Sequence, residues 1–202
     1  MPIVVTLLSI SCFSVANGNN LNTLIEIQKK HHESLPVFVM DMLVDSSMRR
    51  VEKILDQNYI DGLPSFQGGK EWKCLTDALY FEARGEAVMG QFAVAEVIVN
   101  RASSSRFPDT LCGVVNQGSN KSRYSCQFTY MCDGLLESIN DKSSYSRAGK
   151  IAGMVLWDVD INLTNGALYY HAKSVNPSWA KKLARTGIIG DHKFYSDKLP
   201  AN

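Results

Sequence analysis

The sequence lacks a marked excess of charge of either sign. Its 202 residues contain 21 lysines and arginines against 20 aspartates and glutamates, and no segment concentrates the positive charges. A protein that binds a nucleic-acid backbone needs a positively charged face. We therefore expect no nucleic-acid partner, and we expect the chain to act as a monomer.

Several motifs of catalysis and metal binding are also absent. The sequence contains no Gly-rich phosphate loop, no Gly-x-Ser-x-Gly, no His-Glu-x-x-His and no Cys-x-x-Cys pair. These absences disfavour nucleotide-binding proteins, serine hydrolases, zincins and structural zinc sites. His171 and His192 fall in separate predicted strands, which is a weak signal for a metal-dependent amidase. We expect neither a metal nor a cofactor.

The chain has no apolar run that comfortably spans a membrane. Residues 3–16 are uncharged and largely apolar, and the small residues Ser14-Val-Ala16 end this run. We predict a secretory signal peptide in residues 1–16, with a retained anchor as the alternative. Pro64 and the pair Gly68-Gly69 mark a connector, so we predict a leader with one helix in residues 17–69 and the main domain in residues 70–202. With 45% apolar residues the chain can bury one sizeable core.

Cysteine usage predicts disulfides. Cleavage of the signal would remove Cys12 and leave an even number of cysteines, namely Cys74, Cys112, Cys126 and Cys132. An even number favours disulfide bonds in an oxidising compartment, here the periplasm or the extracellular space. The sequence leaves the pairing open.

A candidate acid lies in the stretch from Cys74 to Glu86. On a helix, Leu75, Leu79 and Glu82 share one face, so Glu82 points where a leucine is expected. Gly85 is typical of the position just past a helix end, which puts Glu82 in the last turn. Partial burial and the negative end of the helix dipole both disfavour the charged carboxylate, so we expect a raised pKa for Glu82. A general acid that works near neutral pH needs this property. The structural alternative is a helix-end glutamate paired with Arg84 or a backbone amide.

The remaining pattern predicts an α+β domain, with helices first and short strands later. Apolar periodicity predicts helices over residues 88–103 and 143–157, and Pro177 opens a short helix. Alternation predicts strands over residues 127–131, 167–172 and 192–195. Asn100 and Arg101 are polar positions near the end of the first of these helices. Either could reach into a cleft or support the neighbouring loop, and we favour support.

Aromatic and hydrogen-bonding side chains converge in the later segments. Rings and amides of this kind stack on sugars and bond to them, although aromatic residues in short strands are more often part of a core. The candidate substrate-binding residues are Gln127, Phe128, Tyr169, Tyr170, His171 and Trp179.

These residues carry a family resemblance. The segments Ala78-Leu-Tyr-Phe-Glu-Ala-Arg-Gly-Glu86, Gly90-Gln-Phe-Ala-Val-Ala-Glu-Val-Ile-Val-Asn-Arg101 and Ile189-Gly-Asp-His-Lys-Phe-Tyr195 resemble the SleB-type cell wall hydrolase family of spore cortex-lytic enzymes. The resemblance implies a lysozyme-like α+β domain with a mostly helical lobe and a small β lobe. It further implies a lytic transglycosylase that cleaves peptidoglycan glycan strands between N-acetylmuramic acid and N-acetylglucosamine.

The family's catalytic glutamate falls on Glu82, and the resemblance gives Glu86 and Arg84 supporting roles. Glu86 would lie beside Glu82 and not across a cleft from it, which favours a mechanism with a single acid. The alternatives are a hydrolytic muramidase that uses a second carboxylate such as Asp133 or Asp191, and a peptidoglycan-binding protein without activity.

Overall fold

The structure is a computed structural model that describes residues 51–119, 126–157 and 162–197. The predicted signal peptide and residues 17–50 of the predicted leader lie outside these ranges. Residues 51–55 are helical. The helices that follow are α1 (Gln57–Gly62), α2 (Lys70–Ala83), α3 (Val88–Ala102), α4 (Leu111–Val115) and α5 (Lys142–Leu156), and the strands are β1 (Tyr169–Ala172), β2 (Ala184–Ile189) and β3 (His192–Ser196). Helices come first and strands last, which confirms the predicted α+β class.

Helix α3 runs through the core. Apolar residues occupy nearly its whole surface, and Val94, Ala95 and Ile98 are fully buried. A helix that is apolar on every side needs partners on every side, and α3 packs against α2, α4 and α5. The helices predicted over residues 88–103 and 143–157 are confirmed to within one residue at each end.

Helices α2 and α5 approach closely at a glycine. The indole nitrogen of Trp72 donates a 2.7 Å hydrogen bond to the carbonyl of Gly149, and a Cβ at Gly149 would meet the Trp72 ring at 2.8 Å. Only glycine allows this contact without displacement of the indole. The contact holds α2, and therefore the candidate acid near its end, against α5.

The short helix α1 belongs to the same core. Asp56 caps it by accepting a 2.8 Å hydrogen bond from the Tyr59 amide, and Ile60 is fully buried. Arg147 of α5 forms an ion pair with Asp61 at 2.6 Å. The boundary predicted after Gly69 stays a prediction, but the core extends to residues on its N-terminal side.

The strands form one antiparallel sheet in the order β1-β3-β2. Strand β1 pairs with β3 so that Tyr170 lies opposite Phe194, and Phe194 packs on Ala93 and Val97 of α3. Asn100 and Arg101 donate hydrogen bonds to the carbonyls of Ala167 and Leu168, just before β1. Both side chains therefore support the segment before β1, which is not the loop that directly follows α3 in the sequence.

Both disulfides lie among the described residues, and they settle the pairing that the sequence left open. Cys74 of α2 pairs with Cys112 of α4, and Cys126 pairs with Cys132. The strand predicted over residues 127–131 is wrong, because the chain between the second pair of cysteines forms a 3-10 turn at Thr129–Met131. A bridge between cysteines six residues apart requires the chain between them to fold back on itself, which an extended strand does not do.

Candidate active site

Glu82 lies in the last turn of α2, one residue before the helix ends at Ala83. The side chain is partly buried, and burial raises its pKa from an ordinary 4.5 to about 7. The direction agrees with the expectation from the sequence. A carboxyl group with this pKa is substantially protonated near neutral pH, and it can donate that proton.

Two tyrosines lie close enough to Glu82 for its charge to shift their pKa values. Burial raises the pKa of Tyr170 well above its usual range, and the Glu82 charge adds to the shift. Burial also raises the pKa of Tyr130, with smaller contributions from Asp77 and Glu82. The Tyr130 hydroxyl is buried and has no hydrogen-bond partner among the described residues, while its ring stacks on Phe81 at 4.6 Å. Both hydroxyls are therefore neutral groups beside the candidate acid.

The first of two clefts near Glu82, called here the aromatic cleft, has a volume of about 460 Å³. Its walls come from the end of α3, from β1 and from the 3-10 turn Ser178–Lys182. Both aromatic rings and cations line it. The lining residues are Arg101, Arg106, Gln127, Tyr169, Tyr170, Trp179, Lys182, Leu183 and Asp197.

The second cleft, called here the loop cleft, has a volume of about 500 Å³. It lies between the end of α2 and the segment that leads into α5. Its wall combines aromatic rings with exposed leucines and carboxylates. The lining residues are Tyr80, Phe81, Arg84, Tyr130, Asp133, Leu135, Leu136, Glu137, Ser138, Asn140 and Asp141.

The candidate acid is near residues of both clefts. Tyr170 lines the aromatic cleft, and Tyr130 lines the loop cleft. The Glu82 charge acts on both of these tyrosines. Glu82 itself is not among the lining residues of either cleft, so its link to both clefts is through these two tyrosines.

The structure brings together four of the six predicted substrate-binding residues, since Gln127, Tyr169, Tyr170 and Trp179 all line the aromatic cleft. The prediction that Phe128 binds substrate is wrong, because the residue is only 1% exposed and belongs to the core. Its place directly after Cys126 and Gln127 gave no signal of this burial.

His171 is buried and lines neither cleft. Its Nδ1 lies 2.9 Å from the Ala172 carbonyl and its Nε2 lies 2.9 Å from the Tyr195 hydroxyl. The ring packs edge to face against Trp179 at 5.5 Å. His171 therefore supports a cleft residue, and it does not face the cleft itself.

Glu86 connects the turn after α2 to the β2–β3 hairpin. Its carboxylate accepts hydrogen bonds of 3.1 Å from the Asp191 amide, and it lies 3.0 Å from Nδ1 of His192, outside the alignment of a hydrogen bond. Gly190 turns the hairpin with a φ of +53°, and a Cβ there would overlap the Glu86 carboxylate. Glu86 therefore bonds to the backbone of the hairpin, whereas the Arg84 Cζ lies 4.9 Å from the centre of the Tyr80 ring.

Sequence reasoning passed over Tyr130 as a cleft residue, and for Arg101 it favoured support of a loop over a place in a cleft. Tyr130 was placed on a strand that does not form, although an aromatic residue between two cysteines was a usable signal. Arg101 is a buried charge in the last turn of a mostly apolar helix, and a charge at such a position indicates either a structural hydrogen bond or a site. The described residues contain no group of three or more histidine, cysteine or carboxylate side chains arranged to hold a metal. No helix in the described ranges is long and apolar enough to cross a membrane.

Known proteins resemble this chain in both sequence and structure. A model of the Cell Wall Hydrolase family matches residues 85–195. The spore cortex-lytic enzyme of Oceanobacillus iheyensis is 32% identical over 133 residues, which make up 65% of this chain and 44% of that protein. The spore cortex-lytic enzyme of Bacillus cereus is 31% identical over 140 residues, or 68% of this chain and 49% of that protein. The chain thus spans about half the length of the curated relatives it matches.

Among solved structures, the catalytic domain of the germination-specific lytic transglycosylase SleB from Bacillus anthracis is similar to this chain. It is 30% identical with a TM-score of 0.50, and the match covers 66% of this chain and 100% of that one.

Glu82 precedes the range that the family model matches. Its candidacy therefore depends on its position, burial and pKa.

Proposed function

The chain belongs to the SleB-type cell wall hydrolase family, and we propose that it cleaves peptidoglycan glycan strands between N-acetylmuramic acid and N-acetylglucosamine as a lytic transglycosylase. The observation that carries this proposal is the partly buried carboxyl group of Glu82, whose pKa is raised to about 7 at the end of α2. The acid acts electrostatically on Tyr170 of one cleft and Tyr130 of the other, which supports a cut inside a chain of sugars.

The first step is protonation of the leaving group. Glu82 donates its proton to the glycosidic oxygen as the bond to C1 of the muramic acid breaks and positive charge develops on that sugar. The departing sugar keeps the proton and the electron pair of the broken bond. Glu82 is left as a carboxylate, the form that can act as a base.

The second step closes a ring on the muramic acid. The Glu82 carboxylate takes the proton of the C6 hydroxyl while O6 attacks C1, which gives a 1,6-anhydro end and regenerates the acid. Water is not consumed. Glu86 favours this single-acid route, because its carboxylate bonds to the Asp191 amide and is not free to act across a cleft.

A hydrolytic muramidase is the second candidate function, and one observation favours it. Asp133 lines the loop cleft together with Phe81 and Tyr130, which are neighbours of Glu82. In that mechanism a second carboxylate would activate a water molecule on the opposite face of the sugar. The two mechanisms share Glu82 as the acid and differ in their products.

The substrate sets the proposed location, which is the periplasm or the exterior of the cell. The two disulfides agree with an oxidising compartment. No cofactor takes part in either mechanism.

We predict that Glu82→Gln abolishes the release of soluble muropeptides from purified sacculi, since an amide has the same shape but no proton of suitable acidity to donate. Glu52→Gln, which neutralises an exposed carboxylate outside both clefts, is the matched control and should keep full activity. Circular dichroism of both variants tests that the fold is retained. Activity of Glu82→Gln at the level of the control would exclude Glu82 as the acid.

Mass spectrometry of the products then separates the candidate functions. Anhydro ends weigh one water less than hydrolysed ends, so a lytic transglycosylase and a muramidase give different masses. If the full chain binds sacculi and releases no product, the chain is a peptidoglycan-binding protein and the enzymatic proposal fails.

A further inference from the structure

Arg101 is a buried cation that lines the aromatic cleft. Its residue is only 2% exposed, and burial lowers the pKa of its guanidinium. Nε donates a 2.7 Å hydrogen bond to the Leu168 carbonyl, whereas Nη1 has no partner among the described residues. A buried charged donor that is left unsatisfied costs free energy, so its persistence calls for a partner that binds there.

Aromatic rings surround this guanidinium without satisfying its N–H groups. Its Cζ lies 5.4 Å from the Phe107 ring, 6.0 Å from the Phe128 ring and 5.9 Å from the Tyr169 ring. Such cation–π contacts hold the group in place in a water-poor site. Among the described residues no carboxylate forms an ion pair with Arg101, and its positive charge is available to a ligand in the cleft.

The rest of the aromatic cleft adds to the positive charge. Arg106 and Lys182 also line it, and the one carboxylate among its described lining residues, Asp197, pairs with Arg106. The Arg106 guanidinium donates in addition to the Tyr169 hydroxyl at 2.8 Å. Trp179 provides an aromatic face beside these cations. The cleft therefore combines a surface for a sugar ring with sites for an anion.

We propose that Arg101, assisted by Lys182, binds a carboxylate carried on the lactyl arm of N-acetylmuramic acid and thereby makes the aromatic cleft specific for muramic acid. This inference rests on the proposed function. N-acetylglucosamine is neutral, whereas muramic acid bears a lactyl group that ends in a carboxylate in a denuded strand. In a strand with peptide stems that group is an amide, and the carboxylates belong to the stem. A guanidinium fork matches the planar geometry of either carboxylate.

The test is calorimetric binding to the full chain carrying Glu82→Gln, so that no probe is cleaved. The probes are a neutral oligomer of N-acetylglucosamine, a denuded glycan strand of equal length and a strand that keeps its stems. We expect at least one anionic probe to bind about tenfold or more tightly than the neutral oligomer, a preference that weakens as salt is added. A denuded strand that binds best identifies the lactyl carboxylate, and a stem-bearing strand that binds best identifies a stem carboxylate.

The assignment to Arg101 is tested by substitution. Arg101→Met removes the charge and keeps the bulk of the side chain, and we expect the preference for anionic probes to disappear while affinity for the neutral oligomer is retained. Arg101→Lys keeps the charge without the fork and should retain part of the preference. Lys182→Gln changes an exposed residue and should reduce the preference even if the buried variants fold poorly.

Lys73→Gln is the matched control. It removes one exposed positive charge that lines neither cleft, and among the described residues its ion pair is with Asp77. It should bind all probes as the parent does. Equal binding of neutral and anionic probes by the parent, or an unchanged preference in folded Arg101→Met, would overturn the proposal.

These results are independent of the proposed reaction. Loss of the preference for anionic probes would leave the release of muropeptides by the parent chain untouched. Conversely, a chain that releases no product could still bind muramic acid through Arg101, and the calorimetry would detect this binding.

Discussion

Among individual residues, Glu82 gives the sharpest prediction, because its proposed role requires it to be protonated. With a pKa of about 7, its protonated fraction falls about tenfold for each pH unit above that value. The rate of muropeptide release should therefore decline above pH 7 with a slope close to one. Initial rates on sacculi between pH 5 and 9 measure this decline. A rate that stayed constant or rose between pH 7 and 9 would contradict the role of Glu82 as acid.

The same pKa predicts how stability changes with pH. The carboxyl ionises near 4.5 in the unfolded chain and near 7 in the folded one, so between these values the folded state holds more protons and loses stability as pH rises. Glu82→Gln has no such dependence. The variant should gain up to about 3 kcal/mol relative to the parent between pH 4 and pH 8. Urea denaturation of variant and parent at both pH values measures the gain. If the difference in unfolding free energy between variant and parent were the same at pH 4 and pH 8, the raised pKa of Glu82 would be contradicted.

Periodicity could predict the direction in which Glu82 points, because a helix fixes which residues share a face. It could not predict that Phe128 lies in the core or that Tyr130 lies beside Glu82. Their positions depend on a 3-10 turn between two bridged cysteines. A single short turn has no apolar repeat of three or four residues from which it could be predicted. For Arg101 the sequence offered a cleft and loop support as alternatives, and it could not show that the residue both bonds to the segment before β1 and lines the aromatic cleft.

At the level of secondary-structure elements, Glu86 joins the end of α2 to the β2–β3 hairpin. Its side chain is 9% exposed and accepts the hydrogen bonds of the Asp191 amide. Glu86→Ala removes the acceptor of that amide and empties the space beside Gly190, while water can replace part of the bond because Asp191 is exposed, so we expect a loss of about 1–2 kcal/mol of unfolding free energy. Chemical denaturation measures the loss.

Glu86→Gln provides the graded comparison, because it keeps one acceptor and the volume of the side chain and should cost less than the alanine variant. The control is again Glu52→Gln, which should stay within about 0.5 kcal/mol of the parent. If Glu86→Ala were as stable as this control, the contact with the hairpin would contribute nothing to the fold.

The long apolar helices could be predicted from the sequence, whereas only one strand of the β2–β3 hairpin, β3, was predicted. Helices α3 and α5 have enough turns for their apolar positions to repeat. Strand β2 was missed because Arg185, Thr186 and Gly187 interrupt its alternation, and the structure has a bulge at that point. The pair Gly190-Asp191 between two short strands was the available signal for the hairpin.

In the whole molecule, the candidate site is assembled from segments that are far apart in the sequence. Helix α2 contributes Phe81, the bridged turn contributes Tyr130 and strand β1 contributes Tyr170. These residues line the two clefts near Glu82. Sequence patterns report on neighbours along the chain, so they could nominate these segments without specifying their contacts. The same reason left the pairing of the cysteines open.

The Cys74–Cys112 disulfide ties the helix that carries Glu82 to α4, and it should contribute strongly to stability. Its cysteines are separated by 38 residues, and closing a loop of that length in the unfolded chain is worth about 4 kcal/mol in the chain-entropy model. Replacing both cysteines by alanine should lower the melting temperature by about 10 °C. The matched variant replaces Cys126 and Cys132, whose separation is 6, and should lose about half as much stability. Calorimetry of both variants measures which loss of stability is larger. A larger loss for the short loop would show that contacts of the bridged turn, and not loop closure, dominate the stability that the disulfides provide.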